Sequence, residues 1–319
     1  MNLTDPRFHD ADKARAWLEA QRWPHGAFCP HCGNSDQAKI KALAGKSHRP
    51  GLYQCAECRE QFTVTVGTVM ERSKIPLNKW VLAMHLMSAS KKGMSAHQLH
   101  RMLGITYQSA WFLCHRIREA MADPKGPKNP MGGSGKIVEA DETYYGQKAD
   151  KPKVTTSGRP FLKKGKAAHK IAIVSLVERG GNVRSFHVDR ADANTVREIL
   201  FTNVKRDTAL HTDESRLYTV LGKEYASHET VNHSAKEYVR GEVHTNTIEG
   251  YFSIFKRGMK GVYQHCGEQH LHRYLAEFDF RYNRRTALGV TDTERSEDIV
   301  RGAEGKRLMY RSPNGPSLS

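Results

Sequence analysis

The chain has 319 residues, enough for two or three small domains and a sizeable core. Lys plus Arg number 50 against 34 Asp plus Glu, and the resulting +16 points to a polyanionic partner, most often nucleic acid, with a basic housekeeping protein as the plain alternative. No apolar run reaches the roughly 18 residues of a membrane helix, and the opening Met-Asn-Leu-Thr-Asp-Pro-Arg holds no apolar signal region, so no membrane partner is expected and the location expected is the cytoplasm, with nucleoid association when DNA is bound.

Residues 5 to 23 place Ala11, Ala14, Trp17 and Leu18 at helical spacing and predict a short amphipathic helix. Cys29-Pro-His-Cys32 follows, then twenty-two intervening residues, then Cys55-Ala-Glu-Cys58. In a reducing compartment such pairs serve metal rather than disulfides. Each turn points two sulfurs at one ion, and four thiolates leave no open position, so the expected metal is structural. Zn²⁺ fits better than an iron–sulfur cluster, and four reduced core cysteines are the competing reading. Cys114 and Cys266 are unpaired and expected to be buried. The stretch Gln61-Phe-Thr-Val-Thr-Val66 alternates and predicts a strand.

From 77 to 122 the pattern turns helical. Trp80, Val81, Met84, His85 and Met87 make one face; a second helix runs from Ser95 to Gly104, and Thr106 caps a third that extends to Ala122. The pair resembles a helix-turn-helix, in which the N-terminal residues of the second member meet base edges. Tyr107, Gln108 and Ser109 then face bases, and His115, Arg116 and Arg118 meet phosphates. A plain three-helix packing unit is the alternative, with Trp111, Phe112 and Leu113 read as core. Residues 124 to 135, rich in Gly and Pro, read as a linker.

Beyond it strands come first: 136–145, then the near-continuous apolar run Lys170–Glu178 of a buried central strand, then Val183–Val188 after the Gly180-Gly181 turn. A helix from Ala191 to Val204, a strand Thr208–Asp213, a short helix and a strand near 226–231 follow, and the rest is helical to about Tyr282. The periodicity alone supports α/β. The order of elements resembles a ribonuclease-H-like fold.

Asp141 and Asp213 each end a strand-like run, with Glu142 beside the first. Adjacent strand ends bring two carboxylates close enough to share hard cations. Phosphoryl transfer uses a metal pair about 4 Å apart to activate the attacking oxygen and stabilise the leaving one. Mg²⁺ (or Mn²⁺) suits carboxylate oxygens and retained waters. A third acidic ligand is available 36 positions after Asp213, in His244-Thr-Asn-Thr-Ile-Glu-Gly-Tyr-Phe-Ser-Ile-Phe-Lys256-Arg. As a helix this segment puts Asn246, Glu249, Ser253 and Lys256 on one face and Ile248, Phe252 and Phe255 on an apolar stripe.

Taken together, the four cysteines, Val138-Glu-Ala-Asp-Glu-Thr-Tyr-Tyr-Gly146, His211-Thr-Asp213 and the His244–Arg257 segment resemble a bacterial insertion-sequence transposase of the Asp-Asp-Glu type with an N-terminal zinc ribbon, over roughly residues 20 to 285. The last motif is highly specific, whereas the cysteine pairs are shared by many families. The resemblance implies Asp141 and Asp213 as metal ligands and a third ligand that varies between Asn and Glu. Glu249 is the expected ligand because a carboxylate binds Mg²⁺ more strongly than an amide; Asn246 competes as a neutral ligand or substrate-orienting group. Lys256 is the expected phosphate contact, and His211 and His244 stand behind the ligands. The insert Gly146–Lys170, with Lys148, Lys151, Lys153, Arg159, Lys163, Lys164, Lys166 and Lys170 against Asp150, reads as a mobile basic loop that closes on DNA backbone, with a solvated loop as the alternative.

The implied activity is cleavage at transposon terminal inverted repeats, followed by attack of the exposed 3′ hydroxyls on target DNA, by a dimer or larger assembly. A DNA-binding regulator without catalysis and a metal nuclease that does not join are the rivals. The expected organisation is a helix and zinc ribbon over 1–70, a helix-turn-helix over 71–123, the linker 124–135, a catalytic domain over 136–290 and a tail over 291–319, its residues from about Ser312 disordered.

Overall fold

The computed structural model describes residues 2–123, 129–146, 170–232 and 239–309, with strand backbones at 153–154 and 160–161. The chain divides into two compact units, Met1–Asp123 with Arg284–Ser319, and Pro124–Asn283. No helix among the described residues is long and apolar enough to cross a membrane.

In the first unit, α1 (Ala11–Arg22) starts at Asp10, whose carboxylate accepts from the amides of Asp12 and Lys13. It buries Ala14, Leu18 and Arg22, spaced one turn apart. Arg22 is tolerated inside because its guanidinium donates to the carbonyls of Val64 and Val66 at 2.7 and 2.9 Å. Strands β1 (Ile40–Leu43), β2 (Leu52–Cys55) and β3 (Gln61–Phe62) form an antiparallel sheet. The strand expected to reach Val66 stops at Phe62: the amide of Val66 closes a turn onto Thr63, and Thr63 and Thr65 bond each other through their hydroxyls.

Helices α2 (Leu77–Ala89), α3 (Ala96–Leu103) and α4 (Tyr107–Met121) stand where their caps predict. Ser95 and Thr106 each accept from the backbone three residues on, and Gly104 ends α3 at φ +58°, a conformation that favours glycine. The stretch read as a C-terminal tail instead begins with a helix, Asp292–Gly302, started by a Thr291–Glu294 capping box and packed on α1, α2 and α4. Gly302 lies on α4 so closely that a Cβ there would sit 2.3 Å from the Ala120 carbonyl oxygen. Residues 310–319 of the expected tail lie outside the described residues.

The second unit is built on β4 (Ile137–Tyr145), β7 (Ile171–Glu178), β8 (Val183–Val188), β9 (Ala209–Asp213) and β10 (Ser227–Val231), in the order β10-β9-β4-β7-β8. Short pairs β5–β6 (Lys153–Val154, Pro160–Phe161) and β11–β12 (Val239–Arg240, Val243–His244) stand apart from this sheet. β4, β7 and β8 form an antiparallel meander, while β9 and β10 run parallel to β4. β7 is buried along almost its whole length, as its apolar run requires.

Alternation sends Val138, Ala140, Val174, Leu176 and Leu210 to one face, under α5 (Ala193–Asn203) and α6 (Arg216–Thr219). Tyr145, Ile171, Ile173 and Val177 point to the other, under α7 (Asn246–Gly258) and α8 (Leu271–Asn283). The latter half of the expected linker packs on this unit: Met131 is buried, its amide bonded to the Asn203 carbonyl at 2.7 Å.

Candidate metal and nucleic-acid sites

The β4–β9 ladder pairs Glu139 with His211, and Asp141 and Asp213 each lie two residues further along their strands. A step of two returns a side chain to the same face, so both carboxylates project to the α7 side of the sheet. There an open cleft of about 700 Å³ is lined by Asp141 and Thr143 of β4, by Glu249, Ser253, Lys256 and Arg257 of α7, and by Lys260 in the π-helical turn that follows. Asn246, the first residue of α7, is exposed and does not line it. The expected helical face thus splits, with Glu249, Ser253 and Lys256 in the cleft and Asn246 out of it.

Burial, followed by repulsion from Asp213, Glu142 and Glu249, pushes the Asp141 carboxyl up to about 8. Glu142 is raised too, chiefly by burial, although Tyr218 donates to it at 2.7 Å and Ser215 at 3.4 Å. Carboxylates gathered around Asp141 in this way are a donor set suited to a hard cation. Glu249 accepts from the Thr245 hydroxyl at 2.9 Å, and Asp213 from the Ser215 amide at 3.0 Å.

Behind the cleft lies a group that the sequence reading missed. Glu139 is fully buried, and its carboxylate accepts from Ile248 N at 2.9 Å, Thr247 Oγ1 at 2.8 Å and Arg179 Nε at 2.7 Å. Arg179 also donates to the carbonyls of Glu242 and His244, and meets His211 Nδ1 and His244 Nδ1 at 3.2 and 2.9 Å. The two histidines expected behind the ligands both meet Arg179. The available signal was an acid at an inward position of an otherwise apolar strand start, Ile-Val-Glu-Ala.

In the first unit the four sulfurs of Cys29, Cys32, Cys55 and Cys58 lie within 4.8 Å of one another, with Cys29–Cys58 at 3.6 Å and Cys32–Cys55 at 3.8 Å. A tetrahedron with metal–sulfur bonds of about 2.3 Å has edges of about 3.8 Å, so the set fits one Zn²⁺. The Cys58 amide, aimed at Cys55, draws that thiol down to about 6, and Asn34 Nδ2 points at the same sulfur from 3.6 Å.

At the start of α4, Tyr107 and Gln108 are exposed, while Ser109 turns partly inward to share a hydrogen bond with Thr106. Tyr107 stacks on His97 of α3, ring centroids 4.1 Å apart. Arg116, Arg118 and His115 do not face outward: all three are buried, and the expectation that they meet phosphates is corrected. Arg116 lies over the rings of Trp80 and Phe112 and bonds the Glu71 carbonyl. The exposed cations in the acid-free stretch from Arg72 to Arg118 are Arg72, Lys74, Lys91, Lys92 and Arg101. Lys163, Lys164 and Lys166 of the basic insert lie outside the described residues.

Residues 132–283 match the model of the ISXO2-like transposase domain and residues 9–61 that of the transposase zinc-ribbon domain. An "uncharacterized protein in transposable element ISH50" of Halobacterium salinarum is 29% identical over 285 residues, 85% of this chain and 90% of that protein. Among solved structures, a chain of the simian T-cell lymphotropic virus intasome in complex with PP2A regulatory subunit B56 gamma is 15% identical, covering 57% of this chain and 63% of its own, at a TM-score of 0.28. A chain of the Mos1 strand transfer complex is 12% identical, covering 66% and 77%, at 0.23. Superpositions this loose add nothing to the assignment. A transposase zinc ribbon ahead of a transposase domain, shared with a protein of a transposable element, places the chain among the insertion-sequence transposases of the Asp-Asp-Glu type with an N-terminal zinc ribbon.

Proposed function

We propose that the chain binds the ends of an insertion element and carries out metal-dependent cleavage and strand transfer into target DNA. The observation that carries this reading is the gathering of Asp213 and Glu249 around Asp141, from two strands and a helix, beside a cleft lined by Asp141, Glu249, Lys256, Arg257 and Lys260. The sheet order, with a meander flanked by two strands parallel to its first member, supports a ribonuclease-H-like reading of the fold.

Asp141, Asp213 and Glu249 would hold Mg²⁺ or Mn²⁺, which when bound supplies activation of the attacking oxygen and charge neutralisation at the leaving one. The three cationic side chains would hold the phosphate backbone against repulsion from the carboxylates. Water is the attacking group at the element's ends, and the freed 3′ hydroxyl is the attacking group at the target. The α3–α4 pair would enter duplex DNA with Tyr107, Gln108 and Ser109 at base edges, as in a helix-turn-helix. Joining two ends calls for a dimer or larger assembly on DNA.

Purified full-length protein, Mg²⁺ and duplexes carrying the ends of the element that encodes it provide the test. Joined products are expected from the wild type and are expected to vanish in Asp141→Asn, Asp213→Asn and Glu249→Gln. Joining that survives all three substitutions would refute the assigned site. Cleavage without joining would favour the nuclease, and sequence-specific binding with neither would favour the regulator.

A further inference from the structure

We infer that Glu139 and Arg179 are positioning residues that lock the first turn of α7 onto β4 and β9, so that Glu249 stays beside Asp141 and Asp213. The inference rests on the reading of that cleft as a cation site.

The N-cap of α7, Thr245, makes no side-chain capping bond of its own. A carboxylate from another element does that work. Glu139 accepts from Ile248 N in the first turn and from Thr247 Oγ1 beside it. Its charge also stands at the positive end of the helix dipole. The same carboxylate is paired with Arg179, whose guanidinium reaches the His244 carbonyl on the segment that enters α7 and His211 on β9. One ion pair thereby ties together the three elements that carry the three candidate ligands.

Its place in the ladder matters. Glu139 and His211 are register partners, two residues before Asp141 and Asp213 on their strands. Ile248, the residue held by Glu139, is adjacent to Glu249. Asp141 and Asp213 stand on the sheet face that α7 covers and Glu249 on α7 itself, so like charges act between the helix and the strands beneath it. A fully buried carboxylate with three donors, one a guanidinium and one an amide of the helix's first turn, anchors α7 against that repulsion. Removing its charge leaves the Arg179 guanidinium uncompensated behind the site.

The variants are Glu139→Gln and Arg179→Lys in the full-length protein. Mn²⁺ binding is followed by electron paramagnetic resonance and cleavage is measured against Mn²⁺ concentration. Outer partners of metal ligands typically change affinity about 10- to 100-fold. The expected result is a rise in the Mn²⁺ half-saturation concentration of about 10-fold or more, with cleavage partly rescued at high Mn²⁺ and thermal unfolding still cooperative. Wild-type Mn²⁺ binding and metal dependence in both variants would overturn the proposal. If Glu139→Gln does not fold, Thr247→Val removes one donor alone and is expected to shift the half-saturation in the same direction; no shift counts against the clamp. If the wild type binds no Mn²⁺, the cation reading of the cleft falls. Hydrogen exchange then decides the clamp: the Ile248 amide loses protection in Arg179→Lys if the clamp holds α7 and keeps it if not.

Discussion

Asp141 is surrounded by other acids, and after burial it is Asp213, Glu142 and Glu249 that lift its carboxyl to about 8. The alternative third ligand contributes nothing to this field, because Asn246 is neutral, exposed and out of the cleft. Glu249→Gln is therefore expected to lower joining by more than the roughly 10- to 100-fold typical of outer partners. Asn246→Ala should remain near wild type in the same strand-transfer assay. The opposite ranking would transfer the role to the amide. The same scale separates the arginines of α4 from those around it. Arg116→Ala removes a buried guanidinium from between Trp80 and Phe112 and should cost on the order of 2 kcal/mol in denaturant unfolding, with the salt dependence of DNA binding unchanged. Arg101→Ala, on the exposed acid-free surface, should leave stability alone and reduce the slope of log affinity against log salt by about 0.9. The sequence does not distinguish these arginines, since both lie in helices at polar positions. What buries α4 includes the helix Asp292–Gly302, whose partner lies some 170 residues away in the chain, and no local period reports that contact.

At the scale of elements, α7 was legible because its pattern is redundant. Ile248, Tyr251, Phe252, Phe255 and Met259 recur at helical spacing and are all buried, so the opposite stripe has to face the cleft. Asp213 does end β9, as its strand-like run led one to expect, whereas Asp141, read the same way, lies in the middle of β4, which runs on to Tyr145. Polar groups that tie elements together were not legible, because an isolated buried acid has no period. Glu139 is one such group and Asp279 another. Asp279, on α8, accepts from Ser185 N and Ser185 Oγ on β8, both at 2.8 Å, and from Tyr251 Oη on α7 at 2.6 Å. Burial outweighs these donors and raises its carboxyl to about 6. In the unfolded chain it titrates near 3.9. Between those values the folded state holds a proton that the unfolded state has lost, so this group's contribution to stability is full below about pH 4 and is lost as pH rises through 6. Asp279→Asn cannot titrate. Denaturant unfolding across pH should show the wild type losing about 2 kcal/mol relative to that variant from about pH 4 to 7. A difference constant with pH would mean that Asp279 stays ionised throughout.

At the scale of the molecule, the chain forms two compact units, and the four-cysteine cluster lies in the first. The zinc ribbon has strands of four, four and two residues, too few to stand on their own hydrophobic burial. Structural Zn²⁺ contributes on the order of 10–16 kcal/mol in small sites, as much as a whole domain's net stability, so the ribbon should not survive its loss. The second unit has the two faces of a five-stranded sheet to bury and no thiolate cluster among its described residues. Cys55→Ser should therefore unfold the ribbon and leave the second unit folded. The probes are already in place. All four tryptophans, Trp17, Trp23, Trp80 and Trp111, belong to the first unit, and Trp23 packs edge-on to Tyr53 and Phe62 of the ribbon sheet. Zinc analysis should fall from one ion per chain to none, and tryptophan fluorescence should shift to the solvated position at temperatures where far-ultraviolet circular dichroism still reports the second unit's helices. One shared transition, lost as a whole in the variant, would instead mean that the ribbon's metal holds the entire chain together.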